Sequence, residues 1–474
     1  MSKHRFATFY CGCALALEPA TSALAEDAAP SDTLQEVVVT AQKRLERLKD
    51  VPMSISVASG DLLAKQKITD TSELQRIVPG FSYQRSSYGV PIYSLRGIGF
   101  YDTSVGVSPA VSVYLDQVPL PYSVMSRGVI LDLERVEVLK GPQGTLFGQN
   151  STGGALNYIP ARPSNRSEAA LDVTYGRFNE VSTEGFLSGA LLDKLTARIS
   201  ARYEYRDPWQ QQYAANAPKF GQDPDSELGR RRFSTERLLL DWTPSDRLSV
   251  ELNFNGWQDN SDTQGAQFVR FAPQVPLNPF NAATYNAFVN TPPAVMPVPA
   301  DGRLAGWNPT RRPESDAWFY QSSLKAELDL PADISFTSIS GYSRYGQDTS
   351  SDTNGVPYPD VLTGQDANIR SFSQELRLAG TLQRLRWLVG GNFASDLSNE
   401  RQTNTLGSSN NGVGPFRYRE VRFLNRQDSR TWAAFASLDY SISETLTLQG
   451  SARYTKQDRD FAGCAAQPPA RASA

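Results

Sequence analysis

The sequence predicts a β-rich membrane protein: a mixed α/β domain near the N-terminus, followed by an antiparallel transmembrane β-barrel that is incomplete. Three observations carry this reading. Stretches beyond about residue 168 alternate apolar and polar side chains with period two, giving each strand two unlike walls. Their connections alternate between tight turns and long loops, a pattern of transmembrane barrels that soluble sandwiches seldom show. No run approaches the ~18 apolar residues of a membrane helix, and strands hide from such a search because they alternate.

Composition narrows the chemistry. At 474 residues the chain has room for about two or three domains. Lys plus Arg number 47 against 50 Asp plus Glu, so no global field points to nucleic acid or an acidic substrate. Residues 1–25 read as an export signal: Lys3, His4 and Arg5 form a positive start, Phe6 to Leu17 an apolar stretch, and Ala23-Leu24-Ala25 a small-residue cleavage site before Glu26. Removing them takes away Cys11, Cys13 and the only histidine, His4. The mature chain then keeps Cys464 and no imidazole, which excludes Ser-His-Asp triads, Cys-His dyads and His-ligated metal sites. No carboxylate pair stands out, so the expectation is a protein that is not an enzyme and has no cofactor.

Glu26 to Asp32, rich in Ala, Asp and Pro, read as a mobile lead-in. From about Val51 to Ile159 runs a Gly-punctuated α/β region, and the alternating wall follows. In Thr196 to Arg206, Ala197, Ile199, Ala201, Tyr203 and Tyr205 share one face, while Arg198, Ser200, Arg202 and Glu204 share the other. About eleven strands are expected, starting near residues 168, 181, 195, 234, 247, 317, 333, 370, 385, 431 and 446. Tight connections fall at 192–194, 243–246, 331–333, 380–383 and 441–445; long ones at 207–233, 258–316, 346–369 and 398–429. Tyr203, Tyr205, Trp242, Trp318 and Tyr454 would suit an interfacial aromatic girdle, or simply strand propensity.

The N-terminal half carries more specific signals. Val51-Pro52-Met53-Ser54-Ile55, then Leu74 to Gly80, Leu95-Arg96-Gly97-Ile98-Gly99 and Val113 to Pro119, lead to Asp132-Leu133-Glu134-Arg135-Val136-Glu137-Val138-Leu139-Lys140-Gly141-Pro142-Gln143-Gly144-Thr145-Leu146-Phe147-Gly148 and Ser151 to Ile159. This series closely resembles the plug domain of TonB-dependent outer-membrane receptors, and Arg370 to Leu378 resembles one of their barrel strands. Nucleotide-binding readings fail: Gly97-Ile98-Gly99 lacks the next glycine of a dinucleotide fingerprint, and Gln149 stands where a phosphate loop needs lysine.

The resemblance implies a linker at 26–48 holding a TonB box, a plug at 49–162, a transmembrane barrel at 168–460 and an unstructured tail at 461–474. The box would be Glu36, Val37, Val38, Val39 and Thr40, a Pro-free β-prone stretch able to add a strand to the sheet of the TonB energy-transducing protein. Arg96 and Lys140 occupy positions where the family tends to carry cations that latch the plug to barrel carboxylates, and Glu375, lumen-facing by parity, is one such partner. Arg85, Tyr88, Tyr93, Phe100 and Tyr101 lie where the family presents apical loops to its ligand. The expected function is TonB-dependent import of a ferric siderophore or similar scarce solute across the bacterial outer membrane, with iron only as part of the transported chelate. Uptake of an aromatic compound or oligosaccharide, or a passive porin, are the alternatives. The partners are then TonB, outer-membrane lipid and a metal chelate or other small solute, with no nucleic acid. About eleven strands are half of the ~22 typical of plugged barrels, so a fragment is expected, with Cys464 pairing further downstream.

Overall fold

The structure, a computed structural model, describes residues 37–40, 42–44, 46–86, 88–212, 227–268, 301–308, 310–356, 361–406 and 420–466. The export signal and Glu36 lie outside the described residues.

Chain order begins with a short hairpin, β1 (Val38–Val39) against β2 (Glu46–Arg47). Then come β3 (Ile55–Ser59), α1 (Gly60–Lys65), β4 (Phe81–Arg85), β5 (Pro91–Leu95), β6 (Val111–Leu115), β7 (Val118–Leu120), β8 (Leu133–Lys140) and β9 (Gly154–Pro160). Local signals set the helical pieces. The Ser59 hydroxyl accepts from the Leu62 N–H at the start of α1, and Asp70 with Glu73 forms a capping box on the 3₁₀ helix Thr71–Arg76. Five strands build the plug sheet in the order β3-β8-β9-β6-β7, with β6 and β9 parallel. Val111, Val136, Val138 and Leu156 close its core with no exposed surface. Gly154 has φ +146°, and a Cβ there would stand 2.2 Å from the Leu139 carbonyl oxygen, so only glycine lets β8 and β9 approach.

The wall starts with β10 (Glu168–Gly176), β11 (Glu180–Leu192) and β12 (Leu195–Arg206). After β13 (Gln210–Gln212) and β14 (Glu227–Leu228) it resumes with β15 (Arg231–Ser245) and β16 (Leu248–Asp259). Past β17 (Leu304–Ala305) it continues through β18 (Ser315–Leu330), β19 (Ile334–Ser351), β20 (Val361–Leu382), β21 (Leu385–Leu406), β22 (Glu420–Ser441) and β23 (Thr447–Ala466). The wall strands form one 11-stranded antiparallel sheet in chain order, a partial barrel, while β14-β13-β17 make a small separate sheet from two long connections. Leu228, Ala305 and Trp307 form the core of that small sheet.

Several strands outrun their expected limits at the long-loop end: β20 begins at Val361 and β22 at Glu420. Hydrogen-bonded ladders continue there in polar sequence that apolar alternation does not mark. The last strand likewise runs through Ala466, so 461–466 are paired with β22 and not an unstructured tail; 467–474 lie outside the described residues. Cys464 is exposed and free on β23.

Parity decides the two faces. Ile199, Tyr203, Leu324, Phe372 and Leu376 point outward as an exposed apolar band, the side that faces lipid. Arg198, Ser200 and Arg202 are buried against the plug. Wall arginines clamp plug carbonyls: Arg202 donates to Ile130 (2.6 Å) and Thr69 (2.9 Å), and Arg237 to Leu131 and Val129. Arg198 holds the Asp132 carboxylate with two bonds of 2.6 Å. One inward patch is aromatic instead. Trp257 stacks between Phe233 and Phe319, lies 5.9 Å from the Tyr345 ring, and donates from its indole to the Met125 carbonyl. These rings join the plug core, so the wall's inner face is apolar where the plug presents apolar surface.

Candidate functional site

Two ends of the plug carry the groups of interest. The tight wall turns mark one end and the long connections the other. The segment after Val37 lies at the tight-turn end, because it touches Glu375, Arg386, Asp439 and Gln449 close to those turns.

There, Val39 is fully buried in β1, and both the backbone N–H and the hydroxyl of Thr40 donate to Glu137 of β8. Glu137 has no exposure and also accepts from Arg135 (2.9 Å) and Asn157 (3.4 Å). Lys43 reaches the wall at Glu375 (2.5 Å), Arg44 meets Asp439 (2.9 Å), Glu46 meets Arg386 (3.1 Å), and Gln42 exchanges hydrogen bonds with Gln449. Burial pulls the Lys43 ammonium down to about 8, although Glu375 works to hold it up. Desolvation therefore costs this cation more than its partner returns. Burial likewise raises the Glu46 carboxyl, against Arg386 and Arg44.

Beside this segment a cavity of about 680 Å³ separates plug from wall, lined among others by Arg44, Asp116, Arg162, Glu251, Lys325 and Arg377. Arg162 spans it, holding Asp116 of the plug (2.7 Å) and also bonded to Glu251 of β16. Burial alone would raise the Asp116 carboxyl, but Arg162 and its hydrogen bonds hold it well below the usual range.

The latch expected from sequence is corrected here. Glu375 pairs with Lys43 and lies 3.4 Å from Arg377, not with Arg96 or Lys140. Among the described residues neither Arg96 nor Lys140 makes an ion pair with a wall carboxylate. Arg96 sits exposed in a turn with φ +52°, its guanidinium near Gly141, and the half-buried Lys140 is lowered by burial and by Arg96. The two cations are neighbours of each other, away from Glu375.

At the long-loop end, Arg85 and Tyr88 line a second cavity of about 260 Å³ together with Arg127, Arg231, Asp259 and Tyr345. Tyr88 donates to Asn404 of β21 (3.1 Å), and Arg127 is bonded to Asp259. Phe100 and Tyr101 are 56% and 58% exposed. Tyr93 is not a ligand contact: it is 3% exposed, its ring packs against Phe81 and Tyr83, and its hydroxyl meets Ser126 at 2.6 Å. In β5 its parity turns it to the plug core, a placement that aromatic content alone does not reveal. Among the described residues no group of three or more His, Cys, Asp or Glu side chains is placed to hold a metal ion.

Lys43, Arg44, Glu137, Asp439 and Glu400 were not singled out from the sequence. Glu137 had a signal: it shares a strand face with Arg135 inside an otherwise apolar run, which marks a buried pair. The others carry none, because their partners lie hundreds of residues away.

A profile of the TonB-dependent Receptor Plug Domain matches residues 47–155. The pesticin receptor of Yersinia pestis is 30% identical over 165 residues, covering 34% of this chain and 24% of that protein. The iron-regulated outer membrane virulence protein of Vibrio cholerae is 29% identical over 203 residues, covering 41% of this chain and 31% of its own. Among solved structures, the ferric yersiniabactin uptake receptor of Yersinia pestis superposes with a TM-score of 0.69 at 18% identity, over 88% of this chain and 58% of that one. This likeness shows the fold. The matches thus span about a quarter to a third of the curated relatives and just over half of the solved receptor.

Proposed function

We propose that this chain is a TonB-dependent receptor of the bacterial outer membrane and serves the energised import of a ferric siderophore or a similarly scarce chelate. The family is one of receptors and transporters, not enzymes. The observation that carries the reading is the polarity of the molecule. A β-prone segment, Val38 to Thr40, anchored by the fully buried Val39, sits at the tight-turn end of the plug. Its opposite end opens onto Arg85, Tyr88, Phe100 and Tyr101 among the long connections. Cationic and aromatic groups suit an anionic chelate with aromatic ligands. Energy delivered by TonB at one end acts on a plug that meets solute at the other, and residues 36–40 form the strand that TonB takes up.

The test is uptake of iron-55 presented as catecholate, hydroxamate and citrate chelates by cells dependent on this gene product. Saturable uptake of one chelate class is expected, lost on deletion of residues 36–40 and on collapse of the proton-motive force. Uptake that survives both treatments would identify a passive pore. Uptake of an aromatic acid or oligosaccharide but of no iron chelate would reject the siderophore.

A further inference from the structure

The plug loop that follows Phe100 and Tyr101 rests in a socket on the inner face of the wall. Glu400 of β21 is 5% exposed, and its carboxylate takes hydrogen bonds from the Ser104 hydroxyl, the Val105 N–H (3.4 Å), Gln365 (2.5 Å) and Gln402 (2.8 Å). Both amide nitrogens spend their second hydrogen on one plug atom: Gln365 Nε2 and Gln402 Nε2 donate to the Thr103 carbonyl oxygen at 3.0 and 3.2 Å. Gln347 donates to Gln365 Oε1 (2.7 Å), which fixes which way that amide faces. The loop lies flat on β21: a Cβ at Gly106 would stand 2.7 Å from the Ser398 hydroxyl, and Gln427 donates to the Gly106 carbonyl. Asp102 stiffens the loop by accepting from the N–H groups of Thr103 (2.6 Å) and Ser104 (2.8 Å).

We infer that Glu400 is a positioning residue for solute recognition. It orients two glutamine amides onto the Thr103 carbonyl and so holds Phe100 and Tyr101 in place at the long-loop end. Gln365, Gln402 and the Val105 N–H all donate to Glu400 Oε1 while the Ser104 hydroxyl donates to Oε2, so a side chain without an acceptor oxygen leaves three converging donors unmet. Leucine at this position keeps most of the bulk but removes the acceptor that both amides share. No cation shares the work: Glu400 makes no ion pair among the described residues. The inference rests on the reading that solute is met at the long-loop end.

Two measurements on the detergent-solubilised full chain separate the inference from that reading. The first is hydrogen–deuterium exchange of the peptide covering 99–107, with the plug strand Val111–Leu115 as internal control. Glu400→Leu should speed exchange in 99–107 by about tenfold, the equivalent of one lost buried hydrogen-bond set, and leave 111–115 unchanged. Unchanged exchange in 99–107, or equal loosening of 111–115, overturns the inference whatever binds. The second is the affinity of a ferric tris-catecholate probe for wild type, Phe100→Ala and Glu400→Leu. Weaker binding in both variants supports the inference. Weakening in Phe100→Ala alone overturns it while the reading of the long-loop end stands. A probe indifferent to Phe100→Ala counts against that reading, and the exchange result alone then decides the anchoring.

Discussion

At the tight-turn end the chain is fastened to the wall by buried ions, Lys43 to Glu375 and Arg44 to Asp439, whereas at the long-loop end one carboxylate, Glu400, acts through neutral amides and a hydroxyl. The two fastenings respond differently to force and to mutation. A buried ion pair repays its desolvation poorly, as the lowered Lys43 shows, yet removing one partner strands the other. Such a contact specifies where a segment sits without holding it strongly. The amide socket instead meets one buried carboxylate with several converging donors, which fixes the geometry of the loop closely.

The largest effect is expected where the segment after Val37 meets the plug. Glu137→Ala removes the acceptor for Thr40 and strands the buried Arg135 guanidinium, which retains only the half-exposed Glu134. A loss of about 3 kcal/mol is expected in denaturant unfolding of the plug. Next come Lys43→Met and Glu375→Gln. Each alone should release residues 37–50 to thermolysin by about 2 kcal/mol, and the double variant should cost clearly less than the sum. Strict additivity would deny the pair its role.

The same pair predicts an unusual pH response. The Lys43 pKa is about 8 in the seated segment against 10.5 ordinarily, so between those values the seated form binds fewer protons. Seating is therefore favoured as pH rises from about 8 to 10.5, and that gain is lost as pH falls through 8. A spin label at Val38, which is 39% exposed, should become less mobile over the rise. Greater mobility would mean that the ion pair outweighs its desolvation. The smallest effect is expected at Lys67–Asp172, whose side chains are 61% and 64% exposed: Lys67→Ala should change unfolding stability by no more than about 0.5 kcal/mol.

Much of the wall was legible in advance. The start at residue 168, the order of its eleven strands and the outward parity of Phe372 and Leu376 follow from period-two alternation and turn spacing, both local properties. The polar outer ends of β20 and β22 were missed because nothing apolar marks them. In the plug, glycine and charged-strand motifs located the domain, yet Tyr93 was misplaced because aromatic content does not say which way a strand faces.

The sequence by itself determined which alternating stretches become wall strands, which side of each is the apolar outer face, and where the chain must turn tightly. Backbone sterics and side-chain alternation act over a few residues, so they can be read one window at a time. Only the tertiary structure decided that Glu375 finds Lys43 rather than Arg96 or Lys140, that Glu400 finds Ser104, and that Trp257 caps Met125. Those partners are separated by 332, 296 and 132 residues, and their meeting depends on how the plug is set within the wall. That setting is fixed by many contacts together, and no single stretch of sequence records it.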